Sequence, residues 1–309
     1  MTRTGERGPE RWDPGATLLR GDVEGRPGSS VVLSVSRRGV IGVIEWDDRR
    51  WLLGPASSGA DAAVGALPLH VLADARALPP RGIDFECEAD DLAGPDTPGR
   101  RALERVPPIR GASTARLECD IAIECDYEFF AVKHGGDIDR AMQYAVALLG
   151  VVSTVYERDI NVDLRISYLN VWTTPADPYV ATTREAGLNE FKDYWNANRT
   201  GVVRHTAHML AGRALNGGVG YIGVLCDPTM GYGLSSIIGG SVYPTNTTTF
   251  DAFLVGHEIG HNFNSFHTQN CFWQDNGYAA PARCSTPVTP PRACATRVRP
   301  GSCPQAAAR

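Results

Sequence analysis

Three histidines and one glutamate fall within a single short string, His257-Glu258-Ile259-Gly260-His261-Asn262-Phe263-Asn264-Ser265-Phe266-His267, and no other feature constrains the chain as much. His257 and His261 are four residues apart, so on a helix they sit one turn apart on the same face. Both ring nitrogens can then reach one metal ion at about 2.0–2.1 Å, the distance zinc takes to imidazole. Glu258 follows the first histidine, points to the side and is left free to act as a base on water. His267 lies six residues beyond His261 and cannot come from the same straight helix face. The chain has to turn first, and Asn264 is the expected place, because asparagine tolerates the left-handed conformation better than any residue except glycine. The expected cofactor is Zn²⁺, held by His257, His261 and His267.

The residues before the string support a buried helix. Phe250, Phe253, Leu254, Val255, Ile259 and Phe263 leave almost no polar face except the one that carries the histidines. Buried imidazoles without partners are costly, and a metal ion removes that cost. Thr248 with Asp251 three residues on has the spacing of a capping box with a shorter acid.

Composition sets the outer bounds. The 309 residues carry a formal charge of −5, with ordinary hydrophobic and charged fractions. No basic stripe with interleaved aromatics points to nucleic acid, and no apolar run approaches a membrane span. The start, Met1 to Pro9, has neither an apolar core nor a cleavage site, so it is not a secretory signal. Yet eight cysteines suit an oxidising compartment.

Along the chain, residues 1–15 have the composition of a disordered segment. Residues 16–78 carry short β-type runs between Gly and Pro turns and read as a small antiparallel β module. Residues 79–112 are rich in Pro, Gly, Arg and acids and read as a linker. From Ala115 the pattern changes. Arg116 to Tyr127 alternates as a strand with one wet face, 137–157 keeps helical spacing, 162–172 is a second strand and 185–196 a second helix. Strands over 203–212 and 219–226 precede the histidine helix. The expected fold class is α+β, a twisted mixed sheet with packed helices, preceded by the β module. His70, His134, His205 and His208 lack ligand spacing and read as structural or surface residues.

The full histidine string resembles the signature of the metzincin zinc metalloproteases, H-E-x-x-H-x-x-G-x-x-H, with Asn264 in place of the glycine. Gly220-Tyr221-Ile222-Gly223-Val224-Leu225-Cys226, then Gly231-Tyr232-Gly233-Leu234, and before them Arg204 to Gly212, are similar to the reprolysin (adamalysin-like) branch. The likeness covers roughly residues 115 to 271, and the catalytic domain is expected over 113–275. The resemblance implies zinc-dependent hydrolysis of protein or peptide substrates, with Glu258 as general base and substrate lying as an added strand within 220–240. It also implies a propeptide over the front module, secretion, and a monomer. A propeptide thiolate at Cys87 could occupy the open zinc position. The acids on either side of Cys87 raise its pKa, however, so a disulfide half or a bystander is the preferred reading. Two departures stand out. No methionine follows Met230, where metzincins place a methionine turn under the zinc, and 276–309 becomes a low-complexity tail with the composition of an out-of-frame translation. The alternative function is therefore a zinc-stabilised, non-catalytic binding protein or a degenerate metzincin.

Overall fold

The computed structural model describes residues 2–5, 8–11, 15–56, 69–78, 86–87, 116–237 and 246–267. Most of the expected linker (79–112) and the whole tail (276–309) lie outside the described residues, as does Cys271. Where composition predicted disorder, β1 (Thr2–Gly5) and β2 (Gly8–Arg11) pair as a short antiparallel ribbon.

The front module is a five-stranded antiparallel sheet in chain order: β3 (Ala16–Gly21), β4 (Ser30–Ser36), β5 (Gly39–Trp46), β6 (Arg49–Pro55) and β7 (His70–Asp74). Asp47 and Asp48 turn β5 into β6 with both φ positive, as a two-residue hairpin matched to strand twist requires.

A six-stranded mixed sheet forms the rest. Its members are β8 (Glu86–Cys87), β9 (Leu117–Cys125), β10 (Val162–Val171), β11 (Thr206–Ala211), β12 (Gly217–Gly220) and β13 (Tyr232–Ser236), in the order β10-β9-β11-β13-β12-β8. β9, β10, β11 and β13 run parallel, and β12 is antiparallel to β13. Helices α1 (Ile138–Ile160) and α2 (Arg184–Asn198) make the crossovers that parallel strands need. The Asp137 carboxylate caps the start of α1 by accepting the Asp139 and Arg140 N–H groups, and Asn161 ends it in the left-handed conformation. Thr183 caps α2 through Ala186 N–H.

Helix α3 (Asn246–Asn262) carries the histidines. It packs with α1 on one face of the sheet, where Ile121, Ile123, Leu148, Leu149, Val255 and Ile259 are buried. On the other face α2 buries Leu188, Phe191 and Trp195 against Ala122, Tyr168 and Met209. The fold class is α+β, as expected. Three details differ from the sequence reading. β13 was not anticipated as a strand in its own right, because all five of its residues are buried and a strand covered on both faces shows no alternation. The strand expected over 219–226 ends at Gly220, since Gly223 and Cys226 take positive φ and the Gly223 and Leu225 N–H groups bond to the His261 and Asn262 carbonyls. The expected capping box at Thr248 is replaced by a helix that begins at Asn246, with the Asp251 carboxylate accepting the Tyr144 hydroxyl at 2.5 Å.

Candidate metal centre

Helical spacing stacks His257 over His261 on the face of α3 that looks toward β12. The chain then leaves the helix at Asn264, whose φ of 75° is the left-handed turn that the spacing predicts. Asn264 N–H bonds to the His261 carbonyl and Ser265 N–H to that of Gly260, which closes the helix end. The turn carries His267 back over the helix. His257 Nε2 lies 3.1 Å from His267 Nε2 and 3.2 Å from His261 Nε2. Nitrogens held 2.0–2.1 Å from one tetrahedral ion stand roughly 3.3 Å apart, so the donor set fits zinc. The tautomer fits as well. Because its partner is a carbonyl, His261 Nδ1 is the donor to Ser265 O at 2.6 Å, which leaves a lone pair on Nε2 facing the other rings.

Cys87 completes the cluster. Its Sγ is 3.4 Å from His261 Nε2 and 3.5 Å from Glu258 Oε2, and Cys87, His257, His261 and His267 bring their ligand atoms within 4.8 Å of one another. The thiol, read from sequence as a disulfide half or a bystander, thus lies beside the candidate ligands. The pairing that carries it there is short: β8 lies parallel to β12, with Glu86 opposite Gly217 and Cys87 opposite Gly218.

Glu258 is fully buried, and its Oε1 makes no hydrogen bond among the described residues. Burial pushes its carboxyl up to about 8, with the Cys87 hydrogen bond and the Arg184 charge acting in the opposite direction. Arg184 is itself buried and donates to the Asn216 carbonyl just before β12.

The glycines of β12 set how close α3 can come. A Cβ at Gly218 would stand 2.6 Å from Glu258 Cγ, and one at Gly220 would stand 2.6 Å from the Glu258 carbonyl oxygen. Gly220→Ala is therefore expected to destabilise the fold by about 1–3 kcal/mol, because helix backbone rather than a flexible side chain must move. A urea melt within error of the parent would contradict this. Asn262 fastens the same helix end. Its amide donates to the Tyr221 and Tyr232 carbonyls at 2.9 Å, and its oxygen accepts the Thr206 hydroxyl at 2.6 Å. Sequence reasoning missed Asn262 and the role of the β12 glycines. The available signal was the run Gly217-Gly218-Val219-Gly220, since glycine inside a strand marks close backbone approach.

With this geometry in hand, the comparison with known families is decisive. Residues 115–300 match metallo-peptidase family M12 (Reprolysin_5). The chain belongs to metallo-peptidase family M12. Family M12 peptidases are typically zinc-dependent, which agrees with the donor set of this M12 chain. Among solved structures, it is similar to metalloproteinase-II from Bacteroides fragilis, at 10% identity over 83% of this chain and 78% of that one, with a TM-score of 0.42. It is also similar to a chain described as a chaperone-substrate complex, at 16% identity and a TM-score of 0.40. That match covers 51% of this chain, which spans only a quarter (25%) of the other's length. No helix among the described residues is long and apolar enough to cross a membrane.

The four remaining histidines lie away from the cluster. His70 Nε2 accepts Val40 N–H and His205 Nδ1 accepts Asp120 N–H, both at 2.8 Å. His208 Nε2 bonds with Ser235 Oγ, and His134 packs edge-on against Phe129.

Proposed function

We propose that this M12 chain is a zinc-dependent endopeptidase, written in a form that Cys87 holds silent. The observation that carries the reading is the convergence of three imidazoles, with His257 Nε2 3.1 Å from His267 Nε2 and 3.2 Å from His261 Nε2, beside a buried carboxylate. The three imidazoles are the zinc ligands. When bound, zinc supplies a Lewis acid that polarises the scissile carbonyl and makes water a better nucleophile. Glu258 takes the proton from the attacking water and returns it to the leaving amine, since the charge of bound zinc would favour the ionised carboxylate that burial alone disfavours. Its buried position keeps bulk water from competing for that proton. Peptide substrate lies extended along the free edge of β12, where backbone bonds give affinity with little sequence selectivity.

In the form described here β8 lies along that edge and Cys87 lies against the ligands. The thiol and the strand together exclude substrate, so residues 16–78 with the following segment act as a propeptide. The eight cysteines and the family suit secretion. A zinc-stabilised binding protein is the competing class.

Metal analysis and a casein assay on the purified full chain separate the two. Stoichiometric zinc is expected, with casein cleavage that is slow while Cys87 and β8 cover the site, rises when that block is removed and is abolished by chelation; zinc without any cleavage, even after the Cys87 block is removed, would sink the peptidase reading. Cys87→Ala is expected to raise cleavage by roughly tenfold or more, because about 1.4 kcal/mol of preference for the closed state suffices for that factor. Unchanged cleavage in that variant would remove the thiol from the scheme.

A further inference from the structure

The front sheet has no second layer of its own. Among its described residues the only helical piece is the single 3₁₀ turn Ala75–Ala77. Val32 pairs with Val43, Val43 with Leu52, and Ser34 with Ile41, so these five residues line one face of the sheet, and all are buried. A sheet with one apolar face has to cover it with another element. Helix α1 of the peptidase unit does so. At Gly150 the three nearest atoms to an added Cβ all belong to the front sheet, Leu18 Cδ1 at 2.6 Å and Leu18 Cδ2 and Val32 Cγ1 at 3.1 Å. About two turns earlier on the same face, the buried amide of Gln143 donates to the Ser34 and Gly39 carbonyls at 3.1 and 3.0 Å.

A ring of charge surrounds this contact. Arg37 bonds to Asp139 and Arg38 to Asp137 at the start of α1, while Arg20 reaches Glu157 and Asp163 at the far end. These pairs are partly exposed, so they set register more than affinity. The two sides differ in character. The sheet contributes large apolar side chains, whereas α1 contributes Gln143, Ala147 and Gly150 among its buried residues. The helix positions shown against the sheet, Gln143 and Gly150, are polar or small, while the sheet face is mostly apolar.

We propose that the outer face of α1 is a docking site for the front sheet, that the sheet stays seated there after the chain is cut between them, and that it keeps its fold only while seated. Departure of the sheet is then one-way. The peptidase unit stays soluble, and the sheet unfolds and cannot return as an inhibitor. The inhibitory role of the sheet rests on the proposed propeptide reading; the docking rests on the packing alone.

The test uses the full chain with a cleavable sequence placed between residues 79 and 85, so that β8 and Cys87 remain with the peptidase part. After cutting, the two fragments are expected to co-elute on size exclusion, with the sheet fragment resistant to added trypsin. Gly150→Leu favours the helix and sets its Cβ against the sheet, where Leu18 Cδ1 stands 2.6 Å away. In that variant the fragments are expected to separate and the sheet fragment to be digested, while the peptidase fragment keeps its thermal melt and its zinc content. A parent sheet fragment that elutes alone with a cooperative melt of its own overturns the proposal, as does a Gly150→Leu chain that still co-elutes. Should Gly150→Leu fail to fold, Gln143→Ala carries the same two readings, since it leaves the Ser34 and Gly39 carbonyls without their donor.

Discussion

Glu258→Ala is expected to lower casein hydrolysis by about 10²–10⁴-fold, the usual contribution of a positioned general base, with zinc stoichiometry unchanged. The separation of effects follows from geometry. Glu258 sits on the side of α3 that faces β12, its Cγ against Gly218, and its Oε1 has no hydrogen-bond partner among the described residues. Removing it takes away a buried and incompletely satisfied carboxyl, so the fold has little to lose. The ligand rings are held by other means. His261 is fixed through Ser265 O and His267 by the turn at Asn264, neither of which involves Glu258. His261→Ala should behave in the opposite way, losing zinc and stability together, because metal binding and folding are coupled. An alanine at 258 that loses zinc, or that keeps a tenth of the parent rate, would remove Glu258 from the role of base.

The second large effect is on stability against pH. His134 and His208 are buried and held neutral. Burial pushes both down to about 3, and the Arg140 and Lys133 charges add to the effect at His134. The unfolded chain takes up protons at these imidazoles from about pH 6.5 downward, and the folded chain does not. Stability therefore falls as pH drops through that window toward 3. Between pH 7 and pH 5 the loss is about 2 kcal/mol for each histidine. Glu124 works in the other direction. Burial pushes its carboxyl up to about 7, although Trp172, Asn170 and Tyr179 all donate to its Oε1. Here the folded chain binds the proton first, so stability grows as pH falls from about 7 toward 4.5, by about 2 kcal/mol between pH 7 and pH 5. The parent chain thus conceals part of its histidine loss. Glu124→Gln is expected to lose about 2 kcal/mol more than the parent between pH 7 and pH 5 in urea melts, and His134→Phe about 2 kcal/mol less. Comparing variants at the same two pH values cancels the titration of the other groups. Parallel losses in all three chains would show that these side chains do not titrate as their burial implies.

What could be read from the residues and what could not divide along a physical line. The histidine string is local. Helical pitch alone puts His257 beside His261, and the six-residue gap alone demands a left-handed turn, so Asn264 is legible in the residue order. The first crossover helix is legible for the same reason, since Met142, Val146, Leu149 and Val152 recur at helical spacing. β13 leaves none, because a strand covered on both faces has no alternation to read. The place of Cys87 was not legible because its neighbours in sequence are acids, whereas its neighbours in space are imidazoles, among them His261, 174 residues further on, reached through a two-residue pairing with β12.

The amino-acid order by itself determined the candidate donor set: which side chains could ligate a metal, at what pitch, and where the helix must end. Only the tertiary structure decided what faces that chemistry, namely the glycine strand that admits α3, the thiol seated among the rings, and the sheet that borrows α1 as its second layer. Spacing along a helix is set by bonds between near neighbours and is written in the residues. Contact across a fold depends on where distant segments come to rest, and no local pattern encodes that.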